Sequence, residues 1–345
     1  MLSRVADAIY WMNRYVERAE SMARFVDVNL HLSLDLPAGT SADWAPIITT
    51  TGDDELFRRR FGAPERDSAM RFLTFDRDYP SSILRCLEAA RENARSVREV
   101  ISSEMWERLN KLYLAVREAR PDEVLAAPYD FFTAVKQGVS LLVGTTYLTM
   151  SHNEAWHFGR LGRLVERADK TSRIVDVKSY RLTHMTAPPE VGAVDDIQWG
   201  ALLKSASALE MYRKRHGRIA PPTVVAFLLF DREFPRSILH CLYAAEDSLR
   251  AIVHPGERRQ GQQQQSQQQQ GQQQQSQQQQ QSQQQAAPAA TAAEARMSAL
   301  LRDLEGHAAR VPVPLDDRLH QLLDGTQLRL NELGSAIRDS FFAPD

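Results

Sequence analysis

The chain has 345 residues, 43% of them hydrophobic and 25% charged, with 42 basic against 44 acidic side chains and a formal charge of −2. That length suits about two domains with real cores, and the charge balance argues against a dedicated binder of nucleic acid or anionic membrane, which needs a basic excess. The two cysteines, Cys86 and Cys241, are too few for a disulfide framework or a cysteine-rich zinc site, and both read as reduced, small apolar residues on helices.

The opening segment MLSRVADAIYWMNRYVERAE carries charge throughout and does not read as a signal peptide. From residue 3 to about 34, Val5, Ile9, Met12, Val16, Ala19, Ala23 and Val26 mark one face of a helix. Ser3 is the expected N-cap. A second helix is expected over 44–60, stopped by Gly62, and a third ends near Phe75. Residues 76–79 form a turn, after which Pro80 fits the first position of a fourth helix. Its seam is Ile83, Leu87, Ala90, Ala94, Val97 and Ile101. Helices over about 104–119 and 128–151 follow. The apolar stretch VSLLVGTTYLTM is too short and too polar to span a bilayer. A cytoplasmic location is expected.

The remainder repeats that order. FLTFDRDYPSSILRCL, from Phe72, and FLLFDREFPRSILHCL, from Phe227, agree at eleven of sixteen positions. Trp44 and Trp199, and Gly62 and Gly217, keep the same separation of 155 residues. YVERAESMARFVDV resembles LVERADKTSRIVDV, with Glu17 matching Glu166 at a separation of 149. The six-residue change is assigned to the loop before Trp199, where length differences are tolerated. The expected fold is all-α: two tandem copies of a helical-bundle unit packed together, over 1–153 and 154–345. A glutamine-rich insert at about 256–292 interrupts the second. It has no apolar periodicity to offset the cost of ordering, and disorder is expected there.

Three patterns could carry chemistry. The first is a charged stripe on the opening helix of each copy. Arg14, Glu17, Arg18, Glu20, Arg24 and Asp27 match Arg163, Glu166, Arg167, Asp169, Arg173 and Asp176 in sign and order. One reading is a ladder of ion pairs within each helix, Arg14–Glu17 and Glu20–Arg24, at helical spacing; another puts these charges at the seam between the copies. A functional reading makes Glu17, Glu20, Glu166 and Asp169 acid/base groups in a central cleft, with the arginines as binding groups. The second pattern is the turn holding Asp76, Arg77 and Ser82, matched by Asp231, Arg232 and Ser237. The aspartates are expected to cap the following helices, and a helix start beside an arginine can also hold an anion. The third is Glu154 with His157, the Glu-x-x-His spacing of di-iron bundles. Those need a second such motif, which the repeat does not supply, so no metal is expected. Neither nucleotide loops nor a nucleophile elbow occur, and no cofactor is expected.

With LSRVADAIYWMNRYVERAESMAR, HFGRLGRLVERADKTSR and FDREFPRSI together, the chain resembles the bacterial alpha-E domain family over nearly its whole length except the insert. The resemblance implies an all-helical cytoplasmic protein. It implies genes lying beside, or fused to, those of circularly permuted ATP-grasp proteins, with transglutaminase-like proteins and sometimes a proteasome-like peptidase nearby. The family's Glu-Arg motif maps onto Glu17, Arg18 and Glu20, and onto Glu166, Arg167 and Asp169, where aspartate departs from glutamate. The implied role is a non-catalytic or accessory component of a peptide synthesis or modification system, partnered by the ATP-grasp ligase and a transglutaminase-like protein, with neither nucleic acid nor membrane as partner. The alternatives are an enzyme of that system using the paired acidic groups, and a metal-binding bundle.

Overall fold

A computed structural model describes residues 1–35, 43–184, 193–255, 291–310 and 312–342. Among these the regular elements are all helices. The first half contains α1 (Ser3–Asp35), α2 (Ala45–Thr51), α3 (Asp54–Phe61), α4 (Arg66–Phe75), α5 (Ile83–Ser96), α6 (Ser103–Glu118), α7 (Pro121–Ala126) and α8 (Pro128–Thr149). The second contains α9 (Glu154–His184), α10 (Ala193–Ser205), α11 (Leu209–His216), α12 (Pro221–Phe230), α13 (Ile238–Val253), α14 (Ala292–Ala308) and α15 (Asp317–Phe341). The element bounds α4 and α12 lie 155 residues apart at both ends, and α5 and α13 start 155 apart. The glutamine-rich stretch falls outside the described residues except at its end. There Thr291 and Glu294 form a reciprocal capping box that starts α14.

α1 and α9 are the axis of the molecule. They pack along each other, α5 and α8 flank α1, and α13 and α15 flank α9. α6 bridges α5 and α8, as α14 bridges α13 and α15. The halves also exchange elements: α2 lies against α9, and α10 against α1. One continuous apolar core results, running from Ile9 and Met22 through Phe72 and Leu87 to Trp199, Leu242 and Leu323. Close approach of the central pair rests on two glycines of α9. A Cβ on Gly159 would lie 2.7 Å from Asn13 Nδ2, and one on Gly162 would lie 2.5 Å from the Tyr10 carbonyl oxygen.

Local details differ from expectation in five places, one being that α5 ends at Ser96 and leaves Val97 and Ile101 of the expected seam beyond it. The single helix expected over 44–60 is two, α2 and α3, because Gly52 turns left-handed at φ 79° and ends the first. Its counterpart position in the second half, Ser207, also has positive φ, 52°, and separates α10 from α11. Ser3 lies inside α1 rather than capping it, since the Leu2 carbonyl already accepts from Val5 and Ala6. Pro80 does not open α5: the turn runs on to Ser82, which is the N-cap and accepts from Arg85 N at 3.2 Å. Helix α7, started by Pro121, is an additional element. Gly62 and Gly217 end α3 and α11 as expected, with φ 74° and 73°.

Candidate functional site

The charged stripes of α1 and α9 face each other across the axis of the molecule. Glu17 and Glu166 are completely buried. Arg167 grips Glu17 with two parallel bonds, Nε to Oε1 at 2.7 Å and Nη2 to Oε2 at 2.8 Å. Arg18 grips Glu166 the same way, Nε to Oε1 at 2.6 Å and Nη2 to Oε2 at 3.1 Å. Each Glu-Arg pair of neighbours in sequence is thus split between two partners, and the two pairs lock reciprocally. The fork of arginine suits this planar, two-bonded recognition of a carboxylate.

Further cations close the cluster. Glu166 also accepts from Arg14 Nε at 2.8 Å, and Lys170 lies 3.5 Å from it. Glu17 also accepts from Arg236 Nη1 at 3.2 Å. Arg236 continues to both oxygens of Glu20 at 2.9 Å, where Arg24 adds bonds of 3.0 and 2.6 Å. Asp169 takes Lys170 at 2.9 Å and Arg173 at 3.1 Å. Farther along the same faces, Asp27 pairs with Lys136 of α8 at 2.6 Å, and Asp176 meets His320 of α15 at 2.6 Å. The ladder within each helix is therefore half right. Glu20–Arg24 and Asp169–Arg173 form, but Arg14 turns away from Glu17 because Glu166 of the facing helix offers it a buried, desolvated partner.

The electrostatics follow from this crowding. Burial opposes ionisation of Glu20, but Arg236, Arg24 and Arg167 outweigh it and hold the carboxyl at about 2. Glu166 is likewise held well below the usual range: burial is overcome by Arg18, Lys170 and Arg14. Asp169 is lowered against its own burial by Lys170 and Arg173. Arg163, the counterpart of Arg14, stands apart. Its Nε is buried, and among the described residues it has neither a hydrogen bond nor an ion pair. Burial, and next the neighbouring Arg167, lower it to about 10. Arg236 takes Glu17 Oε1, whereas Arg14 takes Glu166 Oε2, so Arg236 stands where Lys170 approaches Glu166; the position matching Arg236 in the first half is Ser81.

Elsewhere, the aspartates of the two turns do not cap the following helices, since Ser82 and Ser237 do so. Asp76 closes its own turn by accepting from Asp78 N at 2.9 Å and pairs with Arg60 at 3.0 Å. Asp231 accepts from Glu233 N and Phe234 N at 2.9 and 2.7 Å and pairs with Arg215. Ser82 and Ser237 donate back to the Asp76 and Asp231 carbonyls. Arg77 is exposed, and Arg232 pairs with Glu305 at 3.0 Å. Glu154 is exposed while His157 is buried, and no group of three metal-ligating side chains occurs among the described residues. Burial pushes the thiols of Cys86 and Cys241 up to about 12, so neither is a reactive nucleophile.

A family model described as a predicted alpha-helical domain with a conserved ER motif matches residues 1–342. The chain belongs to the Alpha-E family. Among the Glu-Arg dipeptides of this Alpha-E chain, Glu17-Arg18 and Glu166-Arg167 lock across its axis. Relatives include an uncharacterized protein of Mycobacterium bovis and two from strains of Mycobacterium tuberculosis, each 26% identical over 259 residues. The match covers 69% of this chain but only 28% of the length of those relatives. No solved structure matches.

Proposed function

We propose that this chain is a non-catalytic helical component of a bacterial peptide synthesis or modification system, and that it works with a circularly permuted ATP-grasp ligase. The observation that carries the non-catalytic part is the engagement of the ER glutamates. Glu17 and Glu166 are buried, and each is held by the opposite arginine with a further cation on the same carboxylate. A general acid or base must reach a substrate proton and titrate near the working pH. Carboxylates enclosed by guanidinium groups and held below the usual range, as Glu166 is, fit neither demand. They fit a staple that fixes α1 against α9.

Partnership with the ligase, and with a transglutaminase-like protein as a second partner, rests on the family resemblance. Its support here is that the matched segment of the mycobacterial relatives is one part of a much longer polypeptide, an arrangement suited to a domain that acts beside another. The division into two copies, over 1–153 and 154–345, and a cytoplasmic setting belong to the same reading. Among the described residues no helix is long and apolar enough to cross a membrane. The test is co-purification with the ATP-grasp protein, followed by ATP-dependent ligation with and without this chain. Binding at micromolar concentration and ligation that depends on the chain are expected. A ligase that runs at full rate alone, with no binding, refutes the reading. Steady turnover of a peptide by this chain alone would favour the enzyme instead.

A further inference from the structure

Eight cationic side chains, Arg14, Arg18, Arg24, Arg163, Arg167, Lys170, Arg173 and Arg236, crowd the four carboxylates Glu17, Glu20, Glu166 and Asp169. Seven of the cations make a close ion pair with one of these carboxylates; Arg163 makes none and feels Glu17 and Glu20 only at longer range. An unpaired buried cation is costly, and interiors almost always pair it. Arg163 is not turned into closed core, however. It lines a cavity of about 420 Å³ between α1, the end of α8 and the start of α9. It also lines an adjoining cavity of about 590 Å³ that reaches α13. Both volumes fall in the range of small-molecule sites.

The walls of this double cavity have a definite chemistry. Arg160, one helical turn before Arg163, is fixed against α13 by bonds from Nη1 to the Ala244 carbonyl at 2.7 Å and to Ser248 Oγ at 2.9 Å. Its guanidinium lies 5.6 Å from the centre of the Trp156 ring. His152 stacks on the other part of that aromatic wall, 4.1 Å from Trp156, and the Tyr147 ring stands 6.4 Å away. Tyr147 is 61% exposed, unusual for a ring that size, and it borders both cavities. His254 lines the outer cavity, and one carboxylate, Asp247, sits on the rim. Cations at the floor and flat rings at the mouth are the elements that hold an oxyanion carried on an apolar body.

We propose that the double cavity around Arg163 binds a small ligand with a carboxylate or phosphate head and a flat apolar body, the head pairing with Arg163 and the body lying against Trp156 and Tyr147. The inference does not depend on the ligase partnership. The ligand supplies Arg163 with the close anionic partner that its counterpart Arg14 finds in Glu166. Trp156, Arg160 and Arg163 are all on α9, the helix that carries Glu166 and Arg167, so an occupied cavity would be read directly at the α1–α9 seam.

Calorimetry on the full chain with phenylacetate, phenyl phosphate and benzyl alcohol tests this. At least one of the two anions is expected to bind saturably at one site, with a dissociation constant below about 1 mM, and neutral benzyl alcohol at least tenfold more weakly. The tighter anion assigns the head group. Arg163→Met is expected to weaken that binding at least tenfold while melting no lower than the parent, since it removes a half-buried charge that lacks a close ion-pair partner. Tyr147→Ala, on an exposed residue, is expected to weaken it threefold or more. If Arg163→Met does not fold, Arg163→Lys takes its place. Lysine lacks the planar fork, so a fivefold loss is expected. Absence of saturable binding by both anions, equal binding of benzyl alcohol, or undiminished binding by the Arg163 variant overturns the proposal.

Discussion

Replacing Glu17 by alanine should be among the most damaging single changes in the chain. The side chain is 0% exposed and accepts three bonds, two from Arg167 and one from Arg236. Its loss leaves the Arg167 side chain, 15% exposed, without a carboxylate partner. Arg236 keeps Glu20 but then faces Arg167 with little between them. Removing one partner of a buried pair costs about 3–5 kcal/mol, because the other charge is left uncompensated. Against a total stability of about 5–15 kcal/mol, and with a slope of at least ~3 kcal/mol/M for a chain of this size, the urea midpoint should fall by roughly 1 M. Glu92, 45% exposed and paired with a 66% exposed Arg95, is the control: Glu92→Ala should cost about 0–1 kcal/mol. Urea unfolding followed by far-ultraviolet circular dichroism measures both. A loss below about 1 kcal/mol for Glu17→Ala would refute the view that the ER glutamates are buried anchors.

Other outcomes follow from the same geometry. Glu20 is held near 2 against an ordinary 4.5, so its contribution is fully present above pH ~4.5 and is lost as pH falls from 4.5 towards 2. The shift corresponds to roughly 3 kcal/mol, and acid unfolding should be less steep in Glu20→Gln, as circular dichroism against pH will show. Gly162→Ala puts a methyl group 2.5 Å from the Tyr10 carbonyl oxygen, and backbone must move to admit it. A loss of about 1–3 kcal/mol is expected, with Gly306→Ala, which meets nothing within 4 Å, as the near-neutral comparison. Deleting residues 260–285 should leave the melting temperature nearly unchanged, since doubling the length of a connection alters closure entropy by only about 0.6 kcal/mol; a large loss of cooperativity would count against it.

Much of the helical frame could be read from local patterns. Gly62 and Gly217 announced two helix ends because only a residue without a Cβ takes their backbone cheaply. The sixteen-residue repeat announced the end of α4 with that of α12, and the start of α5 with that of α13, because the shared residues, the Ser82 and Ser237 N-caps among them, shape the turn alike. The break at Ser207 carried no such sign, since serine is an uncommon residue at positive φ. The charged stripe was legible as a group, but its partners were not. Spacing along one helix names neighbours three and four residues away, while Arg14 and Arg18 reach a carboxylate about 150 residues distant. Arg236 went unnoticed as part of the site, although it is one of the five departures between the repeated stretches, arginine where the first has Ser81. The glycines at 159 and 162, spaced for close approach inside a helical run, were likewise a usable sign of the α1–α9 crossing.

The central claim is that the two ER pairs work across the axis, not within themselves, and double-mutant cycles address it most directly. Two cycles share one member: Glu17→Gln with Arg167→Met, and Glu17→Gln with Arg18→Met. Reciprocal locking gives a coupling of about 2 kcal/mol between Glu17 and Arg167, roughly 150 residues apart in sequence, and below about 0.5 kcal/mol between Glu17 and its neighbour Arg18. Equal couplings, or a larger one for the adjacent pair, would contradict the account.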